Sequence, residues 1–336
     1  AKIDKVNGLV FERVGETVSI DMIAVKNDSG NPDAFENAVK AVAGKTCFAT
    51  ILISEDPVAM EKALAVVGDS KPLIYAATES NYEKMVELAK KYNCPLAVKG
   101  DGLDATAALV EKIAPSYKEL VIDTGTRELA QALAELTQIR RLAVKKRFRP
   151  LGYPVITFTS ASDPREEIMQ ASVYTAKYAS IVVMKADEKS QLLPLIAERM
   201  NLFTDPQKPS QVEPKVYAVG PATKDSPVYC TTNFSLTYYT VEGEISASKI
   251  PSWIIACPTD GTSVLTAWAA GKFDGEKIAA FMKEINMEEV VNHRTVVIPG
   301  YVAVIKGALE EKSGWKVLVG PAEASGLPAF AKANFA

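Results

Sequence analysis

The stretch Phe48–Val67, FATILISEDPVAMEKALAVV, decides how the first two-thirds of this chain is read. It opens with an apolar, β-branched run, Phe48–Ser54, and passes through Glu55 and Asp56 into an amphipathic run, Pro57–Val67. Proline at a first helical position loses nothing, because the N–H it lacks has no partner there and its φ is already helical. The stretch is therefore a strand running directly into a helix, and a second strand-like run follows at Pro72–Thr78.

The same unit recurs outward in both directions. Further strand-like runs lie at Val18–Val25, Pro95–Lys99, Glu119–Asp123, Pro154–Thr159, Ser180–Lys185 and Lys215–Gly220. Helical patterns lie at Pro32–Val42 (again a proline start, after Asn31), Tyr82–Tyr92, Asp104–Ile113, Arg127–Lys146, Arg165–Tyr178 and Gln191–Asn201. Strands alternating with helices of similar length predict a (β/α)8 barrel, whose usual size is about 250 residues. A doubly wound sheet is the alternative, and the absence of a Gly-rich first turn counts against it.

The turn-rich segment Gly220–Tyr229, GPATKDSPVY, breaks the rhythm and marks a domain boundary. The expected division is a barrel domain over 1–222 and a second domain over 226–336. In the second, strands are expected at Ser235–Val241, Ser252–Cys257, Thr295–Pro299 and Lys316–Gly320. Helices are expected at Ser263–Ala270, Gly275–Ile285, Tyr301–Glu311 and the terminus, which makes a small open α/β domain.

Composition excludes several function classes. Hydrophobic residues at 48% and charged residues at 24% supply ordinary globular cores, and the net charge of −3 offers no nucleic-acid footprint. No apolar run is long enough for a membrane helix and Ala1–Gly30 lacks the pattern of a signal peptide, so a cytoplasmic location is expected. Cys47, Cys94, Cys230 and Cys257 are scattered without a CxxC pair, and His293 is the sole histidine. Zincin and iron-triad sites cannot be built from that set, and no G-x-S-x-G elbow is present.

Ionisable residues at the carboxyl ends of the barrel strands are Lys26 with Asn27, Glu55, Glu79, Lys99 with Asp101, Asp123 and Lys185. They form no recognisable motif and read equally well as solvated rim charges. The C-terminal domain says more. Three strand ends run into small-residue turns, Cys257–Ser263, Val297–Tyr301 and Val319–Ser325, which in an open α/β sheet line one crevice. Thr231–Thr237 adds clustered hydroxyls and an amide suited to a polar ligand, or to an ordinary loop. Without an acid–base pair or an activated nucleophile the domain reads as a binder, and whether the chain is itself an enzyme stays open.

At these loops the sequence resembles a known family. TTNFSLTYYTVEGEI (231–245), CPTDGTSVLTAWAAGKF (257–273), NHRTVVIPGYVAVIKGALEE (292–311) and GWKVLVGPAEASGLPAF (314–330) are similar to the large (gamma) subunit of the corrinoid iron–sulfur protein of the acetyl-CoA (Wood–Ljungdahl) pathway. The resemblance implies a (β/α)8 TIM barrel followed by a Rossmann-like corrinoid domain. It implies a methyl carrier whose Co(I) takes a methyl group from methyltetrahydrofolate on a separate methyltransferase and delivers it, as methyl-Co(III), to the nickel site of acetyl-CoA synthase. The cofactor supplies the chemistry and the protein supplies binding and orientation. A pterin-binding barrel that is itself a methyltransferase is the alternative.

Carried over by motif, the resemblance implies that Thr231 and Thr237 contact the corrinoid periphery or its nucleotide tail. Gly261, Thr262, Ser263 and Val264 form the loop under the ring, with Thr262 nearest cobalt, and Gly320 and Ala324 contact the rim. The family's [4Fe–4S] motif is not in this sequence, so the cluster is expected only in an N-terminal module missing here. A DxHxxG motif is also lacking, so a base-off cobamide without a protein nitrogen ligand is expected. The implied partners are a smaller (delta) subunit forming a heterodimer, the methyltransferase and acetyl-CoA synthase/CO dehydrogenase, with neither nucleic acid nor membrane.

Overall fold

A computed structural model of the chain describes residues 2–205, 207 and 209–336. They divide into two compact units, Ala1–Glu12 with Thr17–Phe203, and Arg13–Glu16 with Thr204–Ala336.

The first unit opens with a short helix α1 (Lys2–Asn7) and a two-stranded ribbon, β1 (Val10–Arg13) and β2 (Glu16–Ser19). Seven strands follow: β3 (Met22–Lys26), β4 (Ala49–Ile53), β5 (Leu73–Ala77), β6 (Leu96–Lys99), β7 (Leu120–Asp123), β8 (Ile156–Phe158) and β9 (Ile181–Val183). The helices after them are α2 (Pro32–Ala43), α3 (Pro57–Val67), α4 (Tyr82–Tyr92), α5 (Gly102–Ile113), α6 (Leu129–Lys145), α7 (Pro164–Ala176) and α8 (Lys189–Leu202). The strands pair in parallel and in chain order, β3 to β7 and then β8 with β9, and a parallel bridge from Ile122 to Val155 joins the two runs.

The proline starts work as their chemistry requires. Asn31 accepts from the N–H groups of Asp33 and Ala34, Asp56 from those of Val58 and Ala59, and Asp163 from those of Arg165 and Glu166. Each such cap satisfies donors that the helix cannot and contributes about 1 kcal/mol. Alternate strand residues then enter two cores. Leu52, Ile74, Leu96 and Ile122 pack outward with Met60, Leu64 and Met85 of the helices. Ile51, Tyr75, Ala97, Val121 and Ile156 pack inward, joined by Met22 of β3 and Val183 of β9. First and last strands meeting in one inner cluster show that the sheet curls on itself.

Three expectations change here. Val18–Val25 is not one strand: the chain breaks at Ile20-Asp21 between β2 and β3. The expected eighth barrel strand, Lys215–Gly220, forms β10 (Val216–Val219) but pairs antiparallel with Ser252–Cys257 of the second unit. The units part at Phe203/Thr204, not near 222. Alternation makes a strand, but hydrogen bonds choose its sheet.

The second unit continues with β11 (Val228–Thr232), α9 (Ser235–Ser248), β12 (Ser252–Cys257), α10 (Val264–Ala269), α11 (Gly275–Glu284), α12 (Met287–Val290), β13 (Thr295–Ile298), α13 (Lys306–Ser313), β14 (Lys316–Val319) and α14 (Leu327–Phe335). Its sheet runs β10-β12-β11-β13-β14, parallel except for β10. Ala267, Phe273, Phe281 and Leu309 cover one face; Tyr238, Ile245 and Leu327 cover the other. The expected strand at Ser235–Val241 is the first half of α9. Its β-branched and aromatic residues favour a strand locally, but Ser235, Tyr238, Ile245 and Ser248 are buried at helical spacing over fourteen residues.

Candidate functional site

The chain leaves β11 for β12 on one side and returns to β13 on the other, so β11 and β13 flank the point where strand order reverses. In an open parallel sheet the carboxyl ends at such a point diverge and leave a crevice. A cleft with about 570 Å³ of empty space, part of it open to solvent, lies there. Among its lining residues are Thr231, Thr237, Val264, Gly320 and Ala324, five of the eight expected ones. Pro299 and Tyr301 come from the loop after β13, and Val241 from the second turn of α9.

The remaining three expected residues form the loop beside this lining. Asn233, almost wholly buried, organises it: its Oδ1 accepts from Thr259 N (2.9 Å), Thr259 Oγ1 (3.0 Å) and Gly261 N (3.2 Å). Asp260 and Gly261 consequently take left-handed backbone, with φ of +53° and +68°. A Cβ on Gly261 would stand 3.0 Å from the Pro209 carbonyl and 3.3 Å from Gln211 Cβ. That glycine is therefore required by the turn and by the 209–211 segment packed against it. Thr262 Oγ1 donates to Thr259 O at 2.7 Å, closing the turn, and Ser263 Oγ pairs with Thr266 Oγ1 at 3.0 Å.

The loops after β13 and β14 are tied edge to edge. Gly300 N donates to Pro321 O (3.0 Å) and Gly320 N to Ile298 O (2.9 Å). A Cβ on Gly300 would lie 2.6 Å from Gly320 O, so this approach admits only glycine.

Hydrogen bonding inside the cleft is incomplete. Thr231 and Tyr229 are 1% and 2% exposed, and neither Thr231 Oγ1 nor Tyr229 OH has a partner. Buried polar groups are paired in the great majority of cases, so two unpaired hydroxyls in one cleft suit a ligand with polar atoms. Apolar walls, glycine-tight loops and unpaired hydroxyls suit a ligand with both apolar and hydrogen-bonding parts. Sequence reasoning missed Tyr229 and Val241. The alternation of Tyr229 and Thr231 along β11 was a usable signal for the first; reading α9 as a strand hid the second.

His293 is remote from this chemistry. It lies before β13, at the opposite end of the sheet, where Nδ1 accepts from Thr295 N (3.2 Å) and Nε2 donates to Ser226 O (3.0 Å). Among the described residues no group of three or more His, Cys, Asp or Glu side chains could hold a metal ion. Among them too, no helix is long and apolar enough to cross a membrane.

Most of the ionisable side chains expected at the carboxyl ends of the first unit's strands are paired, while Asp101 and Lys185 are exposed and make no side-chain hydrogen bond or ion pair among the described residues. Arg127 holds Asp123 through two nitrogens at 2.7 and 3.1 Å, and Tyr75 OH donates to Asp123 at 2.6 Å. Arg127 also lies over the Phe158 ring, 4.7 Å from its centroid. Burial pushes the Tyr75 hydroxyl far above its usual range, and Asp123 beside it adds to the shift. Lys99 pairs with Glu55 at 2.7 Å, Lys26 with Asp28 at 2.5 Å and Glu79 with Lys112.

Curated proteins resemble this chain along nearly its whole length. The large subunit of the corrinoid/iron-sulfur protein of Moorella thermoacetica is 54% identical over 337 residues, covering 100% of this chain and 76% of that protein. Subunit gamma of the acetyl-CoA decarbonylase/synthase complex of Methanothermobacter thermautotrophicus is 37% identical, over 97% of this chain and 74% of that one. A solved dihydropteroate synthase of Yersinia pestis, in complex with a pterine-sulfa conjugate, overlaps 55% of this chain and 84% of its own at a TM-score of 0.39 and 12% identity. The family profile described as CO dehydrogenase/acetyl-CoA synthase delta subunit matches residues 1–331, and its curated relatives carry large-subunit or gamma-subunit names. The chain belongs to this CO dehydrogenase/acetyl-CoA synthase subunit family, CdhD.

Proposed function

We propose that the chain is a methyl-carrying corrinoid subunit whose cofactor seats in the cleft between β11 and β13. The observation that carries this reading is the pair of buried, unpartnered hydroxyls, Tyr229 and Thr231, in an apolar cleft at the switch point of the sheet. When bound, the corrinoid supplies a cobalt centre able to take up and give up a methyl group, here between methyltetrahydrofolate on a methyltransferase and the nickel site of acetyl-CoA synthase. The protein's part is binding and orientation. Thr231 and Thr237 hold polar atoms of the ligand, Val241 and Val264 pack against its apolar surface, and Gly320 and Ala324 bound the other rim. The self-bonded loop Gly261–Ser263 presents a closed surface with no strong nitrogen donor, and the position of His293 agrees with a cobalt that receives none from this chain.

In this reading the second unit is a Rossmann-like corrinoid domain and the first a (β/α) barrel. Exposed apolar residues near the cleft, Leu236, Leu265, Trp268, Tyr301 and Val304, support a partner subunit closing over the cofactor. Any [4Fe–4S] cluster needs cysteines beyond the described set, where only Cys230 and Cys257 are neighbours, at Sγ–Sγ 3.4 Å. The test is to incubate the full chain with a cobamide and measure retained corrinoid by visible absorption and cobalt content. One corrinoid per chain is expected. Val241→Trp, which fills the cleft, should abolish retention; wild-type retention by that variant would overturn the reading.

A further inference from the structure

Three other tyrosines that support the two sheets have a hydrogen-bond partner for the hydroxyl, and Tyr229, the most buried of those on the second sheet, does not. It lies two residues before Thr231 on β11, so both side chains leave the same face of the strand. Tyr75 donates to Asp123, Tyr117 to Cys94 O at 2.6 Å and Tyr217 to Glu213 O at 2.8 Å. The Tyr229 hydroxyl has nothing. Its surroundings are apolar: Val297, Leu327 and Tyr238 share its cluster, and the Phe335 ring stands edge-on at 6.2 Å. Burial alone pushes its pKa up to about 12, so it is a neutral donor at every working pH. Phenylalanine would fill the same volume without an unpaired oxygen. What the oxygen adds is a donor at the buried wall of a cleft.

We infer that Tyr229 is a specificity-determining residue, whose phenol donates a hydrogen bond to an acceptor at the buried end of the bound ligand. This rests on the corrinoid reading above and deepens it. A largely apolar cleft wall suits the flat heteroaromatic base at the end of a cobamide tail, and a base not bound to cobalt has a free ring nitrogen that accepts. Tyr229 then ranks cobamides by whether the base carries that nitrogen, since a donor facing no acceptor gains nothing.

The experiment compares the full wild-type chain with Tyr229→Phe and titrates three probes: a benzimidazole cobamide, a cobamide whose base is p-cresol and lacks the nitrogen, and cobinamide, which has no base. The variant should bind the benzimidazole form about tenfold more weakly and the other two within about twofold of wild type. Its ligand-free melting temperature should be equal or higher, because an unpaired buried group has been removed. Equal loss for all three probes, no loss for any, or a lower ligand-free melting temperature would overturn the inference while leaving the corrinoid reading intact. Failure of the wild-type chain to bind any of the three overturns both.

Discussion

Both units gather side chains at the carboxyl ends of parallel strands, yet the two ends differ in what they leave undone. In the first unit Asp123, Arg127 and Tyr75 form a closed, neutral network, and Lys99 and Glu55 neutralise each other. In the second unit the corresponding surface is apolar, with buried hydroxyls that lack partners. A network whose charges are mutually satisfied has spent its donors and acceptors on the fold. A cleft with unsatisfied groups carries a desolvation cost that a ligand with matching polar atoms relieves. This contrast is why we propose the cofactor site in the second unit rather than a pterin site at the barrel mouth.

The largest expected effect breaks the first half of that comparison. Asp123→Ala leaves Arg127 and the Tyr75 hydroxyl without their shared acceptor in a mostly buried setting, and should cost about 3 kcal/mol. Urea unfolding of the full chain measures it. Cobamide affinity should not change; a parallel loss of affinity would mean that the network belongs to the binding site.

A smaller effect sharpens the contrast because its sign differs between the two ends. Thr159 donates to the buried Glu167 carboxylate at 2.7 Å, so Thr159→Val should destabilise the chain by about 2 kcal/mol. Thr231→Val removes a hydroxyl with no partner and should stabilise the ligand-free chain by about 1 kcal/mol while weakening cobamide binding. Melting curves of the two variants decide it: shifts of the same sign would erase the distinction.

The smallest effect is kinetic. Cys47 is exposed, whereas burial pushes the Cys94 thiol up to about 11 and Cys257 well above its usual value. Since the thiolate is the reactive form, iodoacetamide should label Cys47 first. Of the buried three, only Cys230 lines the cleft and should follow. Timed mass spectrometry reads the order, and bound cobamide should slow Cys230 alone.

The alternation of strands and helices through the first unit is written locally. Asn31-Pro32 and Asp56-Pro57 start helices through their own side chains and rings, and the β-branched runs between them have no competing period. Three turn-rich strand ends likewise predicted a crevice in the C-terminal domain, and five of the eight residues expected there line one cleft. Tertiary structure decided what local pattern cannot carry. Lys215–Gly220 reads as a strand wherever it sits, and only pairing with β12 removed it from the barrel. Residues 235–241 favour a strand over seven positions and a helix over fourteen, and burial of Tyr238 and Ile245 on one helical face settled the choice. Whether a hydroxyl has a partner depends on neighbours distant in sequence. Asp123 finds Arg127 and Tyr75 while Tyr229 and Thr231 find none, and that difference exists only once the chain has folded.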